Sequence, residues 1–230
     1  MRTFLVDDNH IPIDMRTYNP NPNSTSLISI VDYNIPDGYN LYDVTFHSDT
    51  VHTLLTSKPD AVNDWLTDTL HLHQPHPFII ALHLESQPNN NHQPATLHLC
   101  VDRRCVIYQL AHAQFIPFHL SSFLRDPNHT FIGVGIDAHA ARLLEILNLP
   151  VANCVDLRSL AADVLGDEAM TAASLTTLAR RVLGKDVEKP ESVARSSWDR
   201  VRLTAEQVKY ATVDAFACYE IGRRLYCNAF

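Results

Sequence analysis

Residues 131–157 read FIGVGIDAHAARLLEILNLPVANCVDL. FIGVGI is a short apolar run that predicts a strand. AHAARLLEIL repeats apolar residues at helical spacing and predicts an amphipathic helix. VANCVDL predicts a second strand, so the stretch reads as a strand–helix–strand unit and sets the class as α/β.

Upstream, LISIVDY, NLYDVTF and VHTLLTS are β-rich runs, with HSD as a hairpin turn between the last two. SKPDAVNDWLTDTL predicts a helix, with Pro59 near its start and Val62, Leu66 and Leu70 on one face. HLHQPHP reads as a polar linker rather than a metal tract, although it holds His71, His73 and His76. FIIALHLES is the next strand, and SQPNNNHQP turns it into an antiparallel neighbour, ATLHLCV. Asp102-Arg103-Arg104 marks a further hairpin into CVIYQL. Downstream, LRSLAADVL predicts a helix, and SLTTLARRVLGK another, with Ser174 as N-cap and Gly184 just past its end. LTAEQVKYATVDAFACYEIGRRL predicts a long helix opened by a Thr204/Gln207 capping box. Strands early and helices late predict a mixed sheet flanked by helices. Residues 1–26, ending in YNPNPNSTS, read as a flexible N-terminal tail, and 27–230 as a single domain.

The 230 residues are 46% hydrophobic and 19% charged, enough to bury a core. A net charge of −8 argues against strong sequence-independent binding to nucleic acid, though a local basic patch can still act. Five cysteines with no C-x-x-C spacing argue against a disulfide framework or a structural zinc site. No apolar run approaches a membrane span, and the polar start is unlike a signal peptide. These features predict a protein without a membrane partner.

Three apolar elements carry polar residues. His83 and Glu85 sit two apart on the FIIALHLES strand and therefore share a face. Asp137 and His139 follow GVGI at the start of a helix. Tyr210 and Asp214 lie four apart on a helix that is apolar on most sides, which turns them inward. GVGIDA also matches a dinucleotide fingerprint, with Asp156 about twenty residues on. Against that reading, the motif lies mid-chain after antiparallel hairpins and no second nucleotide-binding half follows.

The strings ATLHLCVDRRCVIYQL, FIGVGIDAHAARLL, LARRVLGKDVEKP, SSWD and LTAEQVKYATVDAFACYEIGRRL, in this order, resemble the 3′–5′ exonucleases of DEDD-y type. The resemblance runs from Leu27 to Leu225 and is closest to the Werner-syndrome-like exonucleases of plants. It implies an RNase H-like mixed sheet with D-x-E on the first core strand, a second aspartate after GVGI, and Y-x-x-x-D on a late helix. In that family the carboxylates hold two divalent ions, Mg or Mn, about 4 Å apart for phosphodiester hydrolysis from 3′ ends of DNA or RNA. Tyrosine orients the attacking water. Carried onto this sequence, Glu85 and Asp214 are the remaining acidic ligands and Tyr210 is the tyrosine, which makes these three the expected catalytic residues. His83 and His139 stand where the family has aspartates.

A neutral imidazole offers one lone pair, so His83 can bind one ion but cannot bridge two. Imidazole also suits Zn better than Mg. The resemblance therefore implies weakened hydrolysis and leaves three states open: a single Mn at Glu85 and Asp214, a transition-metal site such as Zn at His83, Glu85, His139 and Asp214, or no metal. In the last state the histidines bind phosphate directly and the chain is a pseudo-exonuclease, a binding module for nucleic acid or for protein partners. The basic stretch from Arg180 to Arg202 offers phosphate contacts at Lys189, Arg195 and Arg200. Trp198 reads either as a base-stacking residue or as a packing anchor.

Overall fold

The computed structural model describes residues 15–18, 28–33, 40–72, 79–86 and 93–228. Among the described residues nine strands form one sheet: β1 (Met15–Tyr18), β2 (Ile28–Tyr33), β3 (Asn40–Phe46), β4 (Asp49–Thr56), β5 (Ile79–Ser86), β6 (Pro94–Val101), β7 (Arg104–Tyr108), β8 (Thr130–Gly133) and β9 (Cys154–Asp156). The helices are α1 (Pro59–Leu72), α2 (Phe118–Arg125), α3 (Ile136–Leu147), α4 (Leu157–Leu165), α5 (Leu175–Leu178), α6 (Glu191–Ala194) and α7 (Ala205–Asn228). Spatial order is β1-β2-β3-β4-β7-β6-β5-β8-β9. The β4–β7, β5–β8 and β8–β9 pairs are parallel and the others antiparallel.

The βαβ unit expected from residues 131–157 is β8–α3–β9, and its two glycines have different roles. Gly133 is the close-approach residue, since a Cβ there would stand 2.7 Å from the Leu82 carbonyl oxygen of β5. Gly135 has φ +70° and starts α3 in a left-handed conformation that side chains resist. Its N–H donates to Asp156 Oδ2 at 2.9 Å, while Asp156 also caps α4 and pairs with Arg158 at 2.6 Å. Asp156 is thus committed to joining two helix starts. That answers the dinucleotide reading: its acidic residue already has structural partners.

Hairpins turn where expected, at His47 and at Asp102, both with positive φ. Ser174 Oγ accepts from Thr177 N–H, and Gly184 ends that helix with φ +67° after a π-helical turn, Ala179–Leu183, that the sequence does not announce. Thr204 and Gln207 form the reciprocal capping box at 2.9 and 3.2 Å.

Met15–Tyr18 corrects the reading of 1–26 as a loose tail. These four residues pair antiparallel with β2, whose outer edge would otherwise present unpaired backbone groups. The rest of that stretch, and the HLHQPHP and SQPNNNHQP connections for the most part, lie outside the described residues. The five cysteines are free. Among the described residues no helix is long and apolar enough to cross a membrane.

The core lies on both sheet faces. α7 packs across β5 and β6, and also against β2, β3, β4, β7 and β8. Val208, Ala211, Ala215, Phe216 and Ile221 of this helix are fully or nearly fully buried. Burial on most sides leaves few directions for its polar residues, and two of them point at β5.

Candidate active site

Side chains on β5 alternate, so Ile80, Leu82 and Leu84 enter one layer and Ala81, His83 and Glu85 the other. The second layer is covered by α7, which brings Tyr210 and Asp214 over β5. Both face inward: Tyr210 is 8% exposed and Asp214 3%. α3 adds His139 from its first turns. Four side chains that are distant in sequence, His83, Glu85, His139 and Asp214, therefore meet in one hollow, with Tyr210 beside them.

The contacts are specific. His83 Nε2 lies 3.2 Å from Glu85 Oε1, and His83 Nδ1 lies 3.5 Å from Asp214 Oδ2. The His139 ring stands edge-on to His83 with centroids 4.6 Å apart. Lys189 Nζ lies 2.5 Å from Asp214 Oδ1 and 5.1 Å from the centre of the Tyr210 ring.

Protonation follows from these neighbours. Burial works to lower the His83 pKa, but the Asp214 and Glu85 carboxylates outweigh it and the value is raised. His139 goes the other way: burial, then the positive charge on His83, lowers its pKa to about 3. Burial opposes charge on Lys189 too, yet Asp214 and Tyr210 overcome it and hold the ammonium more firmly charged than usual. The Tyr210 phenol is raised, chiefly by burial.

In the same layer, on the neighbouring strand, lies a residue that sequence reasoning missed. His98 on β6 is fully buried, directly opposite His83 in the β5–β6 register, with the two rings stacked at 5.7 Å. Burial keeps His98 neutral, with its pKa well below the usual value. Thr96 Oγ1 and His98 Nε2 share a hydrogen bond of 2.8 Å, and Trp198 lies against its ring at 5.9 Å. The period-two pattern of ATLHLCV could have flagged His98, since it faces the same way as Thr96.

The basic residues sort differently from their even spacing in sequence. Lys189 is inside the hollow. Arg195 is exposed and pairs with Glu191 one helical turn away, and Arg200 is exposed. Trp198 is only 1% exposed and donates from Nε1 to the Ala194 carbonyl, so it is a packing anchor and not a base-stacking face. Asp137 is exposed at the start of α3 and stands apart from the four converging side chains.

The donor set does not fit the expected pair of divalent ions. Among the described residues no group of three or more His, Cys, Asp or Glu side chains is arranged to hold a metal ion. Both oxygens of Asp214 face nitrogen groups, and one oxygen of Glu85 does. Imidazoles in two ligand positions supply no negative charge and no bridge.

A family model described as 3′–5′ exonuclease matches residues 57–226, well over half of the chain. The chain belongs to the 3′–5′ exonuclease family. Relatives include a 3′–5′ exonuclease of Arabidopsis thaliana, 29% identical over 133 residues, covering 57% of this chain and 45% of the relative. The bifunctional 3′–5′ exonuclease/ATP-dependent helicase WRN of Mus musculus is 29% identical over 140 residues, covering 60% of this chain and 10% of the relative. The chain thus spans about half or less of the length of these relatives. Among solved structures, Escherichia coli RNase D superposes with a TM-score of 0.64 at 18% identity, over 76% of this chain and 44% of that one. The exonuclease domain of Aedes aegypti Nibbler gives 0.62 at 18% identity, over 76% and 87%. The shared fold is the RNase H-like mixed sheet flanked by helices.

Proposed function

We propose that this chain is a member of the 3′–5′ exonuclease family that engages 3′ ends of DNA or RNA at the His83–Glu85–His139–Tyr210–Asp214 hollow, with two-ion hydrolysis severely weakened. The observation that supports the reading is the pairing of both central carboxylates with nitrogen groups: Glu85 with His83, and Asp214 with His83 and Lys189. In the expected two-ion reaction the carboxylates must be free to anchor cations that activate water and stabilise the leaving oxygen. Here two carboxylates remain in place of four, and both already have nitrogen partners.

The groups that persist suit binding more than cleavage. Lys189 brings positive charge to the floor of the hollow, and the neighbouring carboxylates favour the charged form of His83. Arg142, whose Nη1 donates to Ser86 Oγ at 3.0 Å, stands on the α3 side. Tyr210 offers a phenol that stays protonated and can donate to a phosphate or a terminal hydroxyl.

The test is a labelled single strand, of DNA and of RNA, offered to the wild type and to the His83→Asp/His139→Asp variant with Mg, Mn or Zn. The expected result is binding by both proteins that favours a free 3′ end over a blocked one. Trimming by the wild type should be about a hundredfold or more slower than by the double variant, within the range for loss of one strong transition-state contact. Wild-type trimming with Mg at the rate of the double variant refutes weakened hydrolysis. Indifference to the 3′ end refutes the assignment of the hollow.

A further inference from the structure

Tyr108 ends β7 in one row with Leu97 of β6 and Leu84 of β5. β5 and β7 both run antiparallel to β6, so the chain leaves β7 at the sheet end where β5 presents His83 and Glu85. The segment that follows is tied down there. Tyr108 Oη donates to the Phe115 carbonyl at 2.8 Å. Gln109, 6% exposed, donates from Nε2 to the Arg200 and Val201 carbonyls at 3.0 and 3.3 Å, and His112 Nε2 donates to the Asp199 carbonyl at 2.7 Å. Residues 109–118 and 198–202 are therefore joined into one ledge. Its second part begins at Trp198, which packs on His98 and Tyr210 beside the hollow. The ledge is apolar and open to solvent: Phe115 is 58% exposed, Phe118 81% and Val201 73%. Both phenylalanines that stand exposed among the described residues are on it. It is also basic. Arg200 and Arg202 are exposed, and no Asp or Glu lies between Gln109 and Ser122, which leaves Asp199 as the single carboxylate of the two segments.

We propose that this ledge is a stacking platform for single-stranded nucleic acid: bases several nucleotides from the end stack on Phe115 and Phe118, and Arg200 and Arg202 meet the phosphates between them. Flat apolar rings beside guanidinium groups match a chain that alternates flat bases with phosphates. The ledge carries this positive charge on a molecule of net charge −8, so a polyanion is drawn to the ledge and not to the molecule at large. A phenyl ring has no donor or acceptor with which to read a base edge, and every base has a face to stack. The platform therefore takes strands without regard to sequence, and DNA and RNA alike. The proposal rests on the reading above that the chain engages single strands, and it adds the course of the strand beyond the hollow.

The test is fluorescence anisotropy, without added metal, on single strands of about 4 and about 12 nucleotides, which span the usual range of single-strand site sizes. Each strand is offered with a free and with a blocked 3′ end. Phe115→Ala/Phe118→Ala should weaken binding of the longer strand about tenfold or more, the loss expected for one or two stacked bases. It should leave the shorter strand nearly unchanged, and the loss should be the same for free and blocked ends. Phe115→Tyr/Phe118→Tyr keeps both rings and should bind like wild type. Phe115→Leu/Phe118→Leu keeps apolar bulk without a ring and should bind like the alanine variant. If the alanine variant melts earlier than wild type, the tyrosine and leucine variants decide. Equal affinity of wild type and alanine variant for the longer strand overturns the proposal, and so does full binding by the leucine variant. A wild type that sediments as a dimer, with an alanine variant that sediments as a monomer and binds strands unchanged, gives the ledge to a second copy of this chain and also overturns it. A lost preference for a free 3′ end, with the length-dependent loss intact, refutes the proposed function and leaves the platform standing. A 3′ preference kept at both lengths, with no effect of the alanine variant, does the reverse.

Discussion

His83 and His139 sit with their ring centres 4.6 Å apart yet take opposite protonation preferences. The reason is what each nitrogen meets. His83 presents one nitrogen to Glu85 and the other to Asp214, so both favour the charged form. His139 has a buried Nδ1 for which no hydrogen-bond partner appears among the described residues, and a charged imidazolium as its neighbour. The consequences for stability have opposite signs. His83, with a raised pKa, contributes stability that is present below the ordinary histidine value and lost as pH rises through the folded value. His139, held neutral down to about pH 3, costs stability as pH falls below 6.5, because the unfolded chain takes up a proton that the folded one refuses. Histidine-resolved NMR should show His83 titrating above 6.5 and His139 not at all between pH 8 and 5. His139→Gln should recover about 1–2 kcal/mol of the stability lost on going from pH 8 to pH 5, read from urea midpoints. An unchanged acid loss in that variant refutes the neutral, buried His139.

At the scale of elements, the start of α7 controls more than its own first turn. Gln207 accepts from Thr204 N–H, and its Nε2 donates to Ser196 Oγ and to the Ser197 carbonyl, each at 3.0 Å. One buried amide therefore ties the helix start to the segment just before Trp198, which packs against His98 and Tyr210. Thr204→Ala removes one cap and should cost about 1 kcal/mol. Gln207→Ala leaves several buried groups unpaired and should cost about 2–4 kcal/mol, counting roughly 1–3 for each strongly buried group. Denaturant melts of the two variants separate these values, and equal losses would show that the ties to Ser196 and Ser197 carry nothing. The capping box itself was legible, because Thr and Gln three apart before an apolar run have one local explanation. The ties to Ser196 and Ser197 were not, since nothing periodic connects a glutamine to a serine ten or eleven residues away. The same contrast runs through the site. His83/Glu85 and Tyr210/Asp214 are pairs within one element, fixed by periods of two and 3.6, and so could be read from sequence. Lys189 on Asp214 and His98 beside His83 depend on how a loop and a neighbouring strand pack, and sequence held only the residues, not the meeting. β1 was missed for a related reason: four residues in a Pro- and Asn-rich surrounding gain strand structure only from the edge they cover.

The whole molecule carries a net charge of −8, which opposes any polyanion, so nucleic acid must be met by a local patch rather than by the general field. The structure shows which basic residues are spoken for. Lys185 pairs with Asp49 at 2.9 Å and covers the Phe46 ring, Arg158 pairs with Asp156, and Lys189 with Asp214. Those three serve packing or the hollow. Arg195 is different: its pairing with Glu191 is on the surface, with the two side chains 79% and 73% exposed, and opening such a pair costs little. Arg200 is exposed as well, in the segment that leads to α7. Both are placed where they can follow a phosphate backbone. Arg195→Ala/Arg200→Ala should weaken binding to single strands about equally for all sequences. It should also flatten the dependence of log affinity on log salt by about 1.4, the sum for two lost phosphate contacts at roughly 0.7 each on a single strand. On the proposed function the preference for a free 3′ end should survive, because that reading assigns it to the hollow and not to this surface. Affinity measured across a salt series by fluorescence anisotropy gives both quantities. An unchanged slope would place the phosphate path elsewhere, and a lost 3′ preference with the slope intact would mean that these arginines, rather than the hollow, read the end of the strand.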